Sequence, residues 1–191
     1  MTLPVSASVS ATRYWIVALA RAVVALAAAA FITFSADHSA ELGLLVFGSC
    51  ALVSGLVTAV GAFTVADRVL RNVILVQGVF GVAGGILALV LHSSGLGVLL
   101  YTVSVWAALT GFAELYCGIR ARGRAAMSRD WLIVGGLTAV LALVYLVIPA
   151  DPVLAVGLFG AYAVVVGVYQ AIGAFSLKWS AVAHDTVETH A

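Results

Sequence analysis

The sequence predicts an all-α membrane protein in which six transmembrane helices form three repeated helical hairpins, with both termini in the cytoplasm. Three observations predict this fold. Hydrophobic residues make up 64% of the 191 residues and charged residues only 9%, whereas about a quarter of a soluble domain is charged. The apolar residues fall in runs of roughly 18 to 23, long enough to cross a hydrocarbon core of about 30 Å. A pattern of small residues also returns every 56 residues, at Gly55, Gly111 and Gly167.

The apolar runs alternate with short polar connections, and each is interpreted as one span. The first opens with Trp15 next to Tyr14, because such rings favour the headgroup level. It is interpreted as retained, since Phe34 stands where signal cleavage requires a small residue. The fifth run ends before Pro149 and Pro152, which cannot continue a helix. The predicted spans are about 14–34, 42–63, 72–91, 96–119, 131–148 and 153–177.

These spans group into a single transmembrane domain of residues 14–177 with a cytoplasmic tail at each end. The tails are residues 1–13, rich in Ser, Ala and Thr, and the polar residues 178–191. The three hairpins are predicted at about 14–63, 72–119 and 131–177.

Basic residues occur only in alternate connections, apart from one inside the first span. The positive-inside rule then places both termini in the cytoplasm, and the chain in the plasma (cytoplasmic) membrane as a multi-pass protein of the cell inner membrane. The cluster from Arg120 to Arg129 is expected to contact anionic lipid, at about 1 kcal/mol per nearby residue. A net charge of +1 gives no reason to expect nucleic acid as a partner. The basic residues in the tails and connections are Arg13, Arg68, Arg71, Arg120, Arg122, Arg124, Arg129 and Lys178.

Small residues four apart recur on the second, fourth and sixth spans. Residues with this spacing share one helix face and let two backbones approach closely, which matters in lipid because apolar area alone does not drive helices together. We predict that this stripe packs helices within the bundle or at a dimer face. Its members are Gly55, Gly111, Gly167, Ala51, Ala107 and Ala163.

Glu114 is the strongest candidate for a functional residue, because it is a carboxylate inside an apolar span. Thr58 and Gln170 stand at the corresponding positions of the other two copies. Arg21 lies at a matching depth, about six residues or ~9 Å inside the same membrane face, so the two charges can pair. Ionisable groups within a span are costly and default to a functional hypothesis.

Three readings of this polar group stay open. In the first, Glu114 is structural, hydrogen-bonded to Gln170 between helices, while Arg21 reaches the inner headgroups. In the second, the group is a proton-responsive or ion-responsive site. In the third, it binds a substrate.

The outer connections contain His38 and His92 beside acidic residues. Histidine titrates near pH 6.5, so these two residues are candidates for pH sensing, with ordinary polar loop residues as the alternative. His184 and His190 are interpreted as part of a solvated tail, and no metal site is predicted.

No catalytic or cofactor motif is found. The sequence has no Gly-rich phosphate loop, no His-Glu-x-x-His and no nucleophile elbow. Cys50 and Cys117 lie in different apolar runs and are predicted to be free thiols. We therefore expect no enzymatic activity, no cofactor and no metal.

The stretch from Trp131-Leu-Ile-Val-Gly-Gly through Ile148-Pro149 to Gly167-Val-Tyr-Gln-Ala-Ile-Gly-Ala-Phe resembles the HdeD family (domain of unknown function 308), small six-helix membrane proteins. A looser resemblance covers residues 14–177, although the first two hairpins lack the turn proline. The resemblance implies a non-enzymatic role in envelope or acid-stress resistance, and it supplies no site residues. Membrane lipid, a second copy of the chain or another membrane protein are the expected partners.

The alternative function is a small transporter or channel. In that hypothesis Glu114, Gln170 and Thr58 face a shared pseudo-threefold axis of the bundle.

Overall fold

The computed structural model describes residues 8–123 and 127–188, with side chains for 15–123 and 127–179. Six long helices account for nearly all of these residues, and each has a stretch long and apolar enough to cross a membrane. The chain is therefore a multi-pass membrane protein by the length and composition of its helices. The helices are α1 Ser8–Phe34, α2 Ala40–Gly61, α3 Arg68–Val90, α4 Leu96–Arg120, α5 Ser128–Val147 and α6 Pro152–Glu188.

Side-chain caps set where α2 and α3 begin. The Ser39 hydroxyl accepts a hydrogen bond from the Leu42 backbone N–H, and the Asp67 carboxylate accepts from the Val69 N–H. Such caps satisfy donors that a helix leaves unpaired at its first turn. For this reason α3 begins at Arg68 rather than at Asn72, where hydropathy alone had placed the start of the span.

The α5–α6 corner is built by proline and aspartate. Ile148 is extended, as expected for the residue before Pro149. Pro152 is the first residue of α6, where its missing N–H costs nothing. The Asp151 carboxylate accepts a hydrogen bond from the Leu154 N–H at 2.8 Å and caps the helix.

The first and last helices extend beyond the predicted spans. Helix α1 begins at Ser8, and α6 continues to Glu188. The segment from 178 to 188 contains no Gly or Pro, so nothing in it breaks a helix. Residues 1–7 and 189–191, with His190 among them, and residues 124–126 with Arg124 lie outside the described part of the chain.

The three most extensive helix pairings are α2 with α3, α4 with α5, and α1 with α6. The helices of each predicted hairpin, such as α1 and α2, contact each other less. The closest pairs thus join neighbouring hairpins, and the contact of α1 with α6 joins the two ends of the chain. The three-hairpin repeat as the building unit stays a prediction.

Glycines allow the close pairs to form. A Cβ added at Gly55 would lie 2.6 Å from a backbone nitrogen of α3, and one at Gly111 would lie 2.8 Å from a backbone nitrogen of α5. A Cβ at Gly167 would lie 2.8 Å from a leucine side chain of α1. These glycines therefore sit at corresponding interfaces, each against the odd-numbered helix that its own helix packs on. The alanines of the same stripe, Ala51, Ala107 and Ala163, are also buried.

The two ends of the bundle differ in charge and in packing. We call the end where α3 begins and α4 ends the basic end, and the opposite end the acidic end. The acidic-end half has a tight apolar core, in which Leu44, Leu99, Val103 and Val156 are fully buried. Phe47 packs edge-on against Trp106 and Phe159, with ring centroids 5.3 and 5.5 Å apart. We call these three rings the aromatic cluster.

Candidate intramembrane polar site

Glu114 lies inside the bundle and is bonded to two other helices. Its side chain is 3% exposed, and it stands six residues, or about 9 Å, before the end of α4. Its Oε1 accepts a hydrogen bond from Arg21 Nη2 of α1 at 2.6 Å and from Gln77 Nε2 of α3 at 3.0 Å. Three helices are thus joined at a single carboxylate oxygen, and we call this group the Arg21–Glu114–Gln77 network.

A glycine on α5 makes room for this carboxylate. A Cβ added at Gly135 would lie 2.9 Å from the Glu114 Cβ and 2.7 Å from the Leu115 backbone nitrogen. Real Cβ atoms do not approach so closely, so the position tolerates only glycine. The α4–α5 contact therefore covers one side of Glu114 with backbone instead of water.

A small cavity, which we call the inner cavity, lies on the side of the network facing the middle of the bundle. The centre of a water molecule can move within about 20 Å³ of this cavity, which is enough space for one water. Arg21, Glu114, Thr58 and Tyr162 are among its lining residues. Trp106 also lines it, and the indole Nε1 of Trp106 is buried without a hydrogen-bond partner.

A second small cavity, the basic-end cavity, lies on the other side of the network. It has about 30 Å³ of comparable space and is also lined by Arg21 and Glu114. Gln170 and Asp130 complete its polar lining. The Gln170 side chain is 9% exposed, and its Oε1 is buried without a hydrogen-bond partner. Asp130 accepts a hydrogen bond from the Tyr169 hydroxyl at 3.1 Å.

The structure brings the predicted site residues together in part. Arg21 and Glu114 form the ion pair that their depths suggested. Thr58 and Gln170 are buried, but they line different cavities, and Glu114 lines both. The structural hypothesis considered Gln170 as a hydrogen-bond donor to Glu114, and in the structure the amide that donates is Gln77.

Sequence reasoning missed Gln77. The signal was present, because Gln77 is an amide in the interior of the apolar run of the third span. The positions that correspond to Glu114 in the repeat carry a glutamine only on the sixth span, at Gln170. The repeat therefore favours Gln170, and not Gln77, as the partner of Glu114. Which amide reaches Glu114 depends on the rotation of each helix about its axis, and a pattern of small residues does not specify that rotation.

The two outer histidines lie away from the network. His92 Nε2 is 3.6 Å from Glu41 Oε1, and both side chains are largely exposed. His38 is half-buried in the connection before α2. Among the described residues, no three His, Cys, Asp or Glu side chains come together as metal ligands. Cys50 and Cys117 are free thiols, and the side chain of His184 lies outside the described part.

The chemistry available to the network is exchange of a proton at one carboxylate. Ionised Glu114 balances the charge of Arg21, and protonated Glu114 does not. The two cavities offer space for water on both sides of that carboxylate.

These features define a multi-pass helical membrane protein with an ion pair at the centre of its bundle. A family model described as a short repeat of unknown function (DUF308) matches residues 20–90 and again residues 76–148. The two matches together cover more than half of the chain, which therefore belongs to the DUF308 family. The second match begins 56 residues after the first, the offset that separates Gly55 from Gly111. No curated protein and no solved structure matches the chain.

Proposed function

We propose that this chain is a non-enzymatic membrane protein of the HdeD type that contributes to envelope or acid-stress resistance, with the Arg21–Glu114–Gln77 network as its proton-responsive element. The observation that carries the proposal is a carboxylate that is 3% exposed, lies inside a membrane span and is paired with a single guanidinium. Ionisable residues at such depth are costly, and they usually mark a function.

Proton uptake at this position has a direct consequence for the bundle. Protonation of Glu114 removes the negative charge that faces Arg21, whose side chain is 18% exposed. Breaking a fully buried ion pair costs about 3–5 kcal/mol, and the cost is smaller where one partner reaches solvent. Even a part of that energy is a substantial fraction of a typical unfolding free energy of about 5–15 kcal/mol. A proton bound at one oxygen would therefore weaken the joint between α1, α3 and α4.

The charged and titratable groups that face Glu114 come from three other helices. They are Arg21 on α1, Asp130 on α5 and Tyr162 on α6. The neighbouring side chains from α2 and α3, Thr58 and Gln77, are polar but do not titrate. Arg21 is thus the only cation among the described cavity-lining residues, which makes it the group most affected by the charge on Glu114.

The acid-stress part of the proposal is supported by the resemblance to the HdeD family. The DUF308 family model is described as having no known function, so the response to acid is inferred from the network and from that resemblance together.

Acid survival of an acid-sensitive bacterial host tests the proposal. Cells expressing the wild-type chain are expected to survive acid challenge better than cells expressing Glu114→Gln, which removes the proton-accepting carboxylate. Glu41→Gln is the matched control, because it removes the same charge from a largely exposed side chain outside the network. Equal survival with wild type and Glu114→Gln, at equal amounts of folded protein in the membrane, would refute the proposal.

A small transporter or channel is the second candidate, and one observation favours it. Glu114 has a cavity on each side, so polar space lies along the bundle next to a carboxylate. The two cavities have room for about one water each, which restricts the candidate cargo to protons or very small solutes. Proton and solute flux into liposomes, for the wild-type protein and Glu114→Gln at neutral and acid pH, decides this candidate. Flux lost in the variant would support it, and absence of flux in both would reject it.

The cellular arrangement is also part of the proposal. We place the chain in the plasma membrane with both termini on its cytoplasmic side, and the basic end against anionic lipid of the inner leaflet. Accessibility of a tag fused to either terminus in intact and permeabilised cells tests it. A tag reached in intact cells would reverse the orientation.

A further inference from the structure

We infer that water and protons reach Glu114 from the basic end, through the basic-end cavity, while the aromatic cluster closes the route from the acidic end. This inference rests on the proposed function and adds to it the side of the membrane whose pH the network follows. On the proposed orientation, that side is the cytoplasm.

The basic-end cavity has the features of a water site. Gln170 lines the cavity, and its Oε1 is buried without a hydrogen-bond partner. A buried water typically makes about three hydrogen bonds to polar groups that are otherwise unsatisfied. Gln170, Glu114 and Asp130 all line this one cavity, so three polar side chains that could bind such a water lie around it.

Asp130 extends this polar lining to the basic end. It lies in the first turn of α5 and is partly exposed. A Cβ added at Gly173 would lie 3.1 Å from Asp130 Oδ2, so the glycine leaves space beside the carboxylate. A path of polar groups therefore runs from Asp130, through the basic-end cavity with Gln170, to Glu114.

The route from the acidic end is closed by packed rings. Beyond the inner cavity, the Phe47 ring stands edge-on to both Trp106 and Phe159. Phe47 is 0% exposed, and the apolar side chains packed around it are also buried. Two buried hydroxyls in this half are bonded to the backbone: Ser104 Oγ donates to the Ala142 carbonyl, and Tyr145 donates to the Ala155 carbonyl. This half therefore holds no described polar path comparable to the one at the basic end.

Infrared spectroscopy of purified protein in sealed vesicles tests the inference. The protein is reconstituted with the basic end facing outward or inward, and the pH of the outer medium is stepped while the inner medium is buffered. The signal is the carbonyl absorption of a protonated carboxyl that is present in wild type and missing in Glu114→Gln. We expect this signal to follow the medium that bathes the basic end.

Two variants test the route itself. Gln170→Leu removes the unpaired oxygen of the basic-end cavity, and we expect protonation of Glu114 to become about tenfold slower, the effect of losing one hydrogen-bond partner from the path. Thr110→Val is the matched control, because it removes a hydroxyl that lines the inner cavity, keeps the shape of the side chain and leaves the aromatic cluster intact; the rate is expected to stay unchanged. Asp130→Asn keeps the shape of the side chain and is also expected to slow the protonation of Glu114. It replaces Gln170→Leu as the test of the route if Gln170→Leu does not fold.

The outcomes separate this inference from the proposed function. A Glu114 signal that follows the medium at the acidic end, or both media equally, overturns the inference and leaves the proposed function standing. Unchanged rates in folded Gln170→Leu and Asp130→Asn overturn the route through the basic-end cavity. Absence of any Glu114-dependent signal between neutral and acid pH overturns both the inference and the proposed function.

Discussion

The two halves of the bundle are held together by different interactions. The acidic-end half is filled by large apolar side chains, with Phe47 surrounded by other rings and aliphatic groups. The basic-end half contains the Arg21–Glu114–Gln77 network and two cavities with unpaired polar atoms. In lipid, apolar area gives little net attraction between helices, so close packing and polar contacts hold the helices together. One half is therefore closely packed with apolar side chains, whereas the other combines polar contacts with small cavities.

The largest expected effect comes from breaking the ion pair. Arg21→Met leaves Glu114 without its counter-charge and should lower the free energy of unfolding by about 3–5 kcal/mol. The double variant Arg21→Met/Glu114→Leu should recover much of this loss, because no buried charge remains. Reversible unfolding in mixed micelles measures both. A double variant as unstable as the single one would show that the lost stability comes from packing and not from charge.

Phe47→Ala tests the water-excluding half. Truncating this fully buried ring should cost about 3–5 kcal/mol of unfolding free energy, since the neighbouring rings cannot fill the space. Phe34→Ala is the control, because Phe34 is 88% exposed and its loss should stay within about 0.5 kcal/mol. Equal losses from the two variants would mean that the aromatic cluster is not a tightly packed seal.

Gly55→Ala measures how far the close helix pairs depend on glycine. The added methyl would meet the α3 backbone, and overpacking of this kind costs about 1–3 kcal/mol. In Gly136→Ala the methyl has no atom within 4 Å, so the better helix propensity of alanine should make that variant neutral or more stable by up to about 1 kcal/mol. Thermal unfolding of the two variants side by side gives the difference. The prediction is wrong if Gly136→Ala is the less stable of the two.

The smallest expected effect is at the acidic end. His92→Gln removes a contact of 3.6 Å between the partly exposed His92 and the exposed Glu41, and such pairs contribute about 0–1 kcal/mol. The 2.9 Å contact of His92 Nδ1 with the Leu89 carbonyl, in the same exposed turn, is lost with it. The variant should therefore unfold like the wild type and keep any acid response that depends on Glu114. A lost acid response in His92→Gln would move the sensing role to the outer histidines.

The sequence predicted the spans well, because length and hydropathy are local properties of the chain. Hydropathy predicts the beginning of α3 at Asn72, whereas the helix begins at Arg68 because Asp67 caps it. A capping aspartate is visible in a sequence, so this difference could be predicted. The closest helix pairs were not predicted. The contact of α1 with α6 joins the two ends of the chain, and neither composition nor a 56-residue offset orders helices around a bundle.

The candidate site was predicted in part for a similar reason. Equal depth in the membrane is readable from sequence, and it allowed an Arg21–Glu114 pair without showing that the two helices touch; the structure contains this pair. Rotation about a helix axis is not readable in this way, and it decided that Gln77, not Gln170, bonds to the carboxylate. The cavities depend on how all six helices meet, so their unpaired atoms at Trp106 and Gln170 are visible only in the folded bundle.

The pairing of α1 with α6 has a consequence for biosynthesis. The ribosome makes α1 first, and Arg21 enters the bilayer 93 residues of chain ahead of Glu114. Until then its guanidinium must extend toward the headgroups, and the main neighbour of its helix is the last to be translated. A nascent chain stalled before Pro152 would lack α6 and would therefore leave the α6-facing side of α1 uncovered.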